Sequence, residues 1–303
     1  MLSVVAPYWL DRPPTEVLDI AATANRLGAT EMWIGELFHF DAFALAGYLG
    51  AKTSDMILTV GPLAAGTRDA VTLARATASV SALSARPARL ALGASNRRMV
   101  QHIHDRSYGG EADRLRRMVP EIRSQLETGR STRGYRSALG SFPAHISVAA
   151  FGPKMLEAAV HVADRIVVNL VTPEQAGRFA ADAGDVGVVA WVVGALDPSA
   201  ESRRQIAGQV AHYLRPPGYG EMLAEVGFGE LVAEARQGKP VSDLARLIPD
   251  DLLALVGLYG SAADLAGRLE AYRAAGVDVA IVPSTAADDG GRRVLAWARD
   301  AMD

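Results

Sequence analysis

Short apolar runs alternate with amphipathic stretches along the whole chain. Eight of the runs read as buried strands: Ser3–Ala6, Glu31–Gly35, Met56–Gly61, Arg89–Gly93, His145–Ala149, Arg165–Val168, Val186–Val193 and Val277–Val282. Between them the spacing predicts helices. The first runs from Glu16 to Leu27, with Thr15 as its cap and Gly28 as its stop. Others cover Asp41–Ala51, Asp69–Leu83, Glu111–Thr128 (ended by Gly129), Met155–Val162 and a segment opened by Pro173. Ala200–Leu214, Ser261–Ala275 (ended by Gly276) and Asp288–Met302 complete the set. In Asp69–Leu83 the residues available for burial are Val71, Leu73, Ala74, Ala78 and Leu83. Ala94–Gly110 is less regular, and Arg130–Phe142 reads as a loop rich in Ser, Arg and Gly. Pro216-Pro217-Gly218-Tyr219-Gly220 breaks the pattern after strand seven. The two or three helices from Glu221 to Leu258 have no strand between them, so residues 213–258 read as a helical insertion.

Eight strands, each followed by helix, predict a (β/α)8 barrel. An open doubly wound sheet is the rival. It usually carries a glycine fingerprint after strand one, where this chain has Pro7-Tyr8-Trp9-Leu10. No repeat or linker divides the sequence, so one domain is expected over residues 1–303.

Composition narrows the function. Half of the residues are hydrophobic, which supplies a large core, and the formal charge is −3, which argues against a dedicated nucleic-acid binder. With no Cys, thiolate catalysis, disulfides and zinc–sulfur sites are excluded. The start, Met1-Leu2-Ser3-Val4-Val5, lacks a basic leader pattern, and no apolar run is long enough to span a bilayer. The expectation is a soluble cytoplasmic protein. GxSxG, Walker and HExxH patterns are missing, so nucleophilic hydrolysis and nucleoside triphosphate chemistry lack support.

In a barrel, chemistry gathers where strands end at the C-terminal face. Strand two is followed by Glu36 and His39, the most plausible acid and proton carrier. Gly61-Pro62 ends strand three, where a residue without an N–H predicts a bulge or the end of pairing. Gly93-Ala94-Ser95 ends strand four, leaving room for a flat ligand to approach the backbone. After strand five, Ala150-Phe151-Gly152-Pro153-Lys154 makes a strand-to-helix turn whose free N–H groups suit a phosphate, beside the Lys154 charge. An ordinary turn without a ligand explains the same residues. His102 and His104, two apart, lie on different sides of a helix, and no metal site is expected.

Four pieces, in this order, carry a resemblance: Leu27-Gly28-Ala29-Thr30-Glu31-Met32-Trp33-Ile34-Gly35-Glu36, Leu83-Ser84-Ala85-Arg86-Pro87-Ala88-Arg89-Leu90-Ala91-Leu92-Gly93, Ala149-Ala150-Phe151-Gly152-Pro153-Lys154-Met155 and Ala275-Gly276-Val277-Asp278. Their ordered set resembles the luciferase-like monooxygenase superfamily, in particular its deazaflavin (coenzyme F420)-dependent oxidoreductases. The resemblance implies a bacterial-luciferase-like TIM barrel, a homodimer, and a flavin-like ring at the C-terminal mouth. It implies a bulge behind the ring at Gly61-Pro62, the ring beside Gly93, Ala94 and Ser95, and the cofactor phosphate on Ala150, Phe151, Gly152 and Pro153. A ring bent by the bulge would favour the reduced cofactor. The Asp-His pair of related sugar-phosphate dehydrogenases corresponds here to Glu36-Leu37, and their acid after strand four to Asn96, so that particular reaction is not implied.

Three readings follow. The first is an F420-dependent oxidoreductase exchanging a hydride with a small organic substrate. The second is an FMN-dependent monooxygenase on the same barrel; Lys154, Arg97 and Arg98 favour the more acidic F420. The third is a non-catalytic barrel acting as a binding or dimerisation partner. The substrate pocket is expected from Pro7–Leu10, Phe38–Phe43 and the insertion with Tyr213 and Tyr219, unless these aromatics serve only to pack loops.

Overall fold

A computed structural model describes residues 1–286 and 289–302. In chain order β1 (Ser3–Val5), α1 (Glu16–Arg26), β2 (Glu31–Ile34), α2 (Ala42–Gly50), β3 (Ile57–Ala64), α3 (Ala70–Ser84) and β4 (Arg89–Gly93) come first. Next are α4 (Glu111–Thr128), β5 (Ile146–Ala149), α5 (Pro153–Val162), β6 (Arg165–Asn169), α6 (Pro173–Ala183), β7 (Gly187–Leu196) and α7 (Ala200–Tyr213). Four short helices follow: α8 (Tyr219–Leu223), α9 (Gly229–Arg236), α10 (Val241–Leu247) and α11 (Asp250–Val256). The chain closes with β8 (Gly257–Gly260), α12 (Ala262–Ala274), β9 (Asp278–Pro283) and α13 (Arg292–Met302).

Two compact units make up the chain. One is Gly28–Val167 with Ala183–Gly187; the other is Met1–Leu27, Val168–Asp182 and the chain from Val188 on. In the first, β2, β3, β4, β5 and β6 pair side by side, all parallel, with Glu31 opposite Ile57 and Leu90 opposite Ile146. In the second the order is β1, β9, β7, β8, again all parallel. Parallel strands joined through helices are the construction of the (β/α)8 barrel, the fold expected above.

Several local expectations change. The stretch from Glu221 to Leu258 is helical as far as Val256 but ends in a strand: Gly257–Gly260 pairs with Val193–Leu196 of β7. Four residues with glycine at both ends gave no alternating pattern to read. β3 continues through Pro62 to Ala64, and its pairing with β4 shifts register between Val60 and Leu63. Thr15 makes no side-chain cap, whereas Asp41, Asp69 and Ser261 cap α2, α3 and α12 through their side chains. Leu83 is 70% exposed, because it lies on the outer side of α3, whose buried positions are Leu73, Ala74, Thr77, Ala78 and others. Within Ala94–Gly110, Arg98–Ile103 forms one π-helical turn. The expected start of the last helix, Asp288, lies outside the described residues. No described helix is long and apolar enough to cross a membrane.

The second unit is held by one apolar cluster, in which Ile206, Val210 and Leu214 of α7 meet Leu244, Leu252 and Leu253 of the short helices. The helices after β7 thus bury their apolar sides on α7, which is why they fold without strands of their own. Trp9 belongs to this core: it is 5% exposed and its indole N–H donates to the Pro283 carbonyl at 3.0 Å. The packing reading therefore applies to this member of the expected aromatic pocket.

At the strand starts of the first unit lies a buried charge cluster. Glu31 opens β2 with 5% of its surface exposed. Its carboxylate accepts from the Thr59 hydroxyl, from Arg165 Nη1 at 3.0 Å and Nη2 at 2.5 Å, and from Arg89 Nη1 at 3.2 Å. Arg165 also stacks over the Trp33 ring at 4.8 Å. Burial pushes the Glu31 carboxyl up, but Arg165, Thr59 and Arg89 outweigh it and hold it below the usual carboxylate range. Beside them, burial and then the Arg89 and Arg165 charges push His145 down to about 4. Its folded value lies below its unfolded one, so the stability linked to it is complete above about pH 6.5 and falls as pH drops toward 4, by up to about 1.4 kcal/mol per pH unit. Urea melts between pH 7.5 and 5 should show this loss, and His145→Gln should flatten it. An unchanged slope in the variant would assign the acid sensitivity elsewhere.

Candidate active site

The ends of β3, β4 and β5 converge. Gly61 has φ +121°, outside the range of side-chain-bearing residues, and the Gly61–Pro62 peptide is cis. A Cβ on Gly61 would stand 2.1 Å from the Ala91 carbonyl oxygen, so β3 runs against the β4 backbone at this point. On Gly93 a Cβ would stand 3.2 Å from the Ala149 Cβ and 3.8 Å from the Pro62 Cβ. Pro62, Gly93 and Ala149 therefore pack against one another at the strand ends, where Gly93 is buried and Pro62 and Ala149 are half-buried.

The neighbouring turns complete that region. Ser95 has φ +55° and is exposed, and its carbonyl accepts from the Tyr108 hydroxyl at 3.3 Å. Ala94 is half-buried. Asn96 accepts from the Met99 amide at 3.0 Å, opening the π-helical turn. Arg97 lies over the Tyr108 ring at 5.5 Å. After β5, Ala150 is buried and Phe151 half-buried. Gly152 stands at the N-terminus of α5 with φ +78°, and Pro153 occupies its first turn. No side chain caps this terminus, and Lys154 is exposed beside it.

Glu36 and His39 share the loop after β2, but Glu36 is already engaged. Arg68 Nη1 donates to its Oε2 at 2.6 Å, Arg68 Nη2 to its Oε1 at 2.7 Å, and the Ala42 amide to Oε1 at 3.3 Å. Arg68 Nη2 also donates to Asp41 Oδ2 at 2.9 Å, while Asp41 Oδ1 accepts from the Phe43 and Ala44 amides. A bidentate Arg–carboxylate pair is a strong, directional contact. It ties the loop after β2 to the loop after β3. Glu36 spends its hydrogen bonds on this knot rather than on the glycine-lined strand ends. His39 is half-buried, with Nδ1 enclosed.

Sequence reasoning missed Arg68. Its one signal was its place after strand three, next to the capping Asp69; the partners Glu36 and Asp41 are 32 and 27 residues away. In the other unit, Asn169 at the end of β6 hydrogen-bonds Tyr213 and Tyr219, whose ring centroids are 4.6 Å apart. Burial raises both phenols, Tyr219 the more, so both hydroxyls stay protonated donors at neutral pH. Among the described residues no three His, Cys, Asp or Glu side chains are grouped as a metal would require.

The family model for luciferase-like monooxygenases matches residues 4–279. Among solved structures, the chain is similar to a coenzyme F420-dependent tetrahydromethanopterin reductase from Methanopyrus kandleri. The two share 16% identity over 99% of this chain and 98% of that one, with a TM-score of 0.75. An F420-dependent secondary alcohol dehydrogenase, in complex with an F420–acetone adduct, is 14% identical over 100% of both chains, with a TM-score of 0.72. The oxygenating constituent of 3,6-diketocamphane monooxygenase from Pseudomonas putida, in complex with FMN, is 14% identical over 99% of this chain and 96% of that one, with a TM-score of 0.67. At such identities the likeness shows the fold, and it is the fold described above. No curated protein is significantly similar in sequence.

Proposed function

Because the chain belongs to the luciferase-like monooxygenase family, we propose that it is an F420-dependent oxidoreductase exchanging a hydride between that cofactor and a small organic substrate. The observation that supports this reading is the meeting of Pro62, Gly93 and Ala149 at the strand ends, where only small side chains stand between a planar ring and the backbone. These residues fit such a ring, since Pro, Gly and Ala carry no long side chain to cover it. The exposed, side-chain-uncapped start of α5 fits a phosphate, with Lys154 adding charge. When bound, the deazaflavin ring supplies or takes the hydride at its central carbon, and the protein's part is orientation and proton handling.

Gly61 brings β3 against β4 behind the ring and Gly93 stands beside it, and Gly152 to Lys154 anchor the phosphate. Ala94, Ser95, Ala150 and Phe151 line the same two turns. His39 is assigned the proton. Glu36, bound at both oxygens by Arg68, shapes the loop that carries His39, and proton exchange at Glu36 itself requires Arg68 to release it. Exposed Arg97, Arg98 and Lys154 favour the acidic tail of F420 over FMN. FMN with dioxygen remains the second reading, since the ring seat and phosphate turn serve both.

Titrating F420 and FMN separately into the protein, followed by fluorescence, tests this. F420 binding alone is the expected result. Preference for FMN moves the chain to the monooxygenase branch, and binding of neither supports a non-catalytic barrel. The homodimer belongs to the same proposal and is checked by sedimentation velocity. Gly93→Ala should weaken cofactor binding about tenfold or more while costing roughly 1 kcal/mol of stability, because its Cβ displaces Ala149 and Pro62 beside the seat by only a small shift. Unaltered affinity in that variant would move the ring elsewhere.

A further inference from the structure

The first unit holds a concavity that begins just past the end of β3, where the Ala65 amide donates to the Gly93 carbonyl at 2.9 Å and Gly66 lines the wall. It is a cleft of about 650 Å³ between the start of α3 and the side of α4. Ligand sites commonly fall in this size range, but their walls are mostly apolar. Here five arginines line the wall (Arg68, Arg106, Arg114, Arg117 and Arg133) against two carboxylates, Asp69 and Glu121. The chain as a whole carries −3, so this concentration of positive charge is local.

Two of the arginines are neutralised: Arg68 by Glu36 and Asp41, Arg114 by Glu111 at 3.1 Å. Arg106, Arg117 and Arg133 are exposed and make no ion pair among the described residues. Among the described residues the two carboxylates make no ion pair with these arginines and keep their charge, each hydrogen-bonded near its own helix. Asp69 accepts from the Thr72 amide at 2.8 Å and hydroxyl at 2.9 Å, and Glu121 accepts from Gln125 Nε2 at 3.3 Å. Three guanidinium groups without an ion-pair partner stand against two carboxylates around one cleft, which leaves it an excess of positive charge. The arrangement favours a ligand that brings negative charge to all three.

We propose that this cleft binds a small, multiply charged anion bearing phosphate or several carboxylates. Such a group comes either from a separate metabolite or from an acidic cofactor tail, and the site does not depend on which ring the strand ends hold. The test is calorimetric titration with inorganic pyrophosphate and, separately, triglutamate. Binding of at least one probe to the unaltered protein, weakening as salt rises, is expected. The triple variant Arg106→Gln/Arg117→Gln/Arg133→Gln should bind about tenfold more weakly or worse. These side chains are exposed and unpaired, so the fold should persist, and circular dichroism checks it. Arg117→Glu alone is the second variant and should also weaken binding. Loss of probe binding in the presence of saturating F420 would identify the cofactor tail as the source; simultaneous binding would identify a separate metabolite. No binding of either probe, or equal binding by the triple variant, overturns the proposal. Failure of both probes leaves the ring-seat reading standing, and failure of F420 to bind leaves the probe titrations to decide this proposal.

Discussion

Gly61→Ala should unfold the first unit at far lower urea than the unaltered chain, at a cost of roughly 3–5 kcal/mol. Two effects add. An L-residue at φ +121° is strained wherever it stands. The new Cβ would also lie 2.1 Å from the Ala91 oxygen and 2.8 Å from its carbonyl carbon, both backbone atoms within β4. A flexible side chain could step aside, but a strand paired on both edges cannot. The cost therefore takes the form of separation between β3 and β4, at the shift in register that Val60 and Leu63 bracket. The comparison with Gly93→Ala is informative, since that Cβ meets side-chain carbons at 3.2 and 3.8 Å and its nearest backbone atom, the Ala149 oxygen, only at 3.9 Å. Urea midpoints for the two variants should differ widely. Equal midpoints would mean that β3 and β4 are further apart in solution than described.

Glu31→Gln should be nearly as damaging, by about 3–5 kcal/mol. The carboxylate is enclosed, and Arg165, whose side chain is 15% exposed, relies on it for charge. Replacing a whole buried ion pair by apolar groups is often harmless, but removing one partner leaves the other charge buried and uncompensated. The pH dependence follows from the same contact. The folded carboxyl lies below its unfolded range, so its contribution is complete above about pH 4.5 and is lost as pH falls through the folded value. Urea melts of both proteins at pH 7 and across the acid limb measure this. The variant should be weaker at pH 7 and should lose less on acidification below pH 4.5. A difference under about 1 kcal/mol at pH 7 would show that the Glu31 charge does little to compensate Arg165.

Much of the fold was legible because its signals are local. Eight of the strands are short apolar runs, and each boundary lies within a few residues of its expectation; Val277–Val282, for example, is found as Asp278–Pro283. The glycine and proline signals also lie in the chain itself: the bulge at Gly61-Pro62 and the Gly152-Pro153 helix start need only their neighbours. The strand Gly257–Gly260 was not legible, since it is defined by its partner β7 rather than by its own residues. Leu83 was misplaced for a related reason. Periodicity marks an apolar residue as available for burial, but only the packing around α3 decides which side is covered.

The site divides in the same way. The chain alone determined the alternation of strand and helix and, through an ordered set of short pieces, the family, because each signal lies in a contiguous run of residues. Tertiary structure alone decided what the charges do. It spent Glu36 on Arg68, set Glu31 between Arg89 and Arg165, and left Arg106, Arg117 and Arg133 unpaired around one cleft. Glu31 and Arg165 are 134 residues apart. An ion pair depends on distances of a few ångströms in space, and no spacing along the chain encodes them.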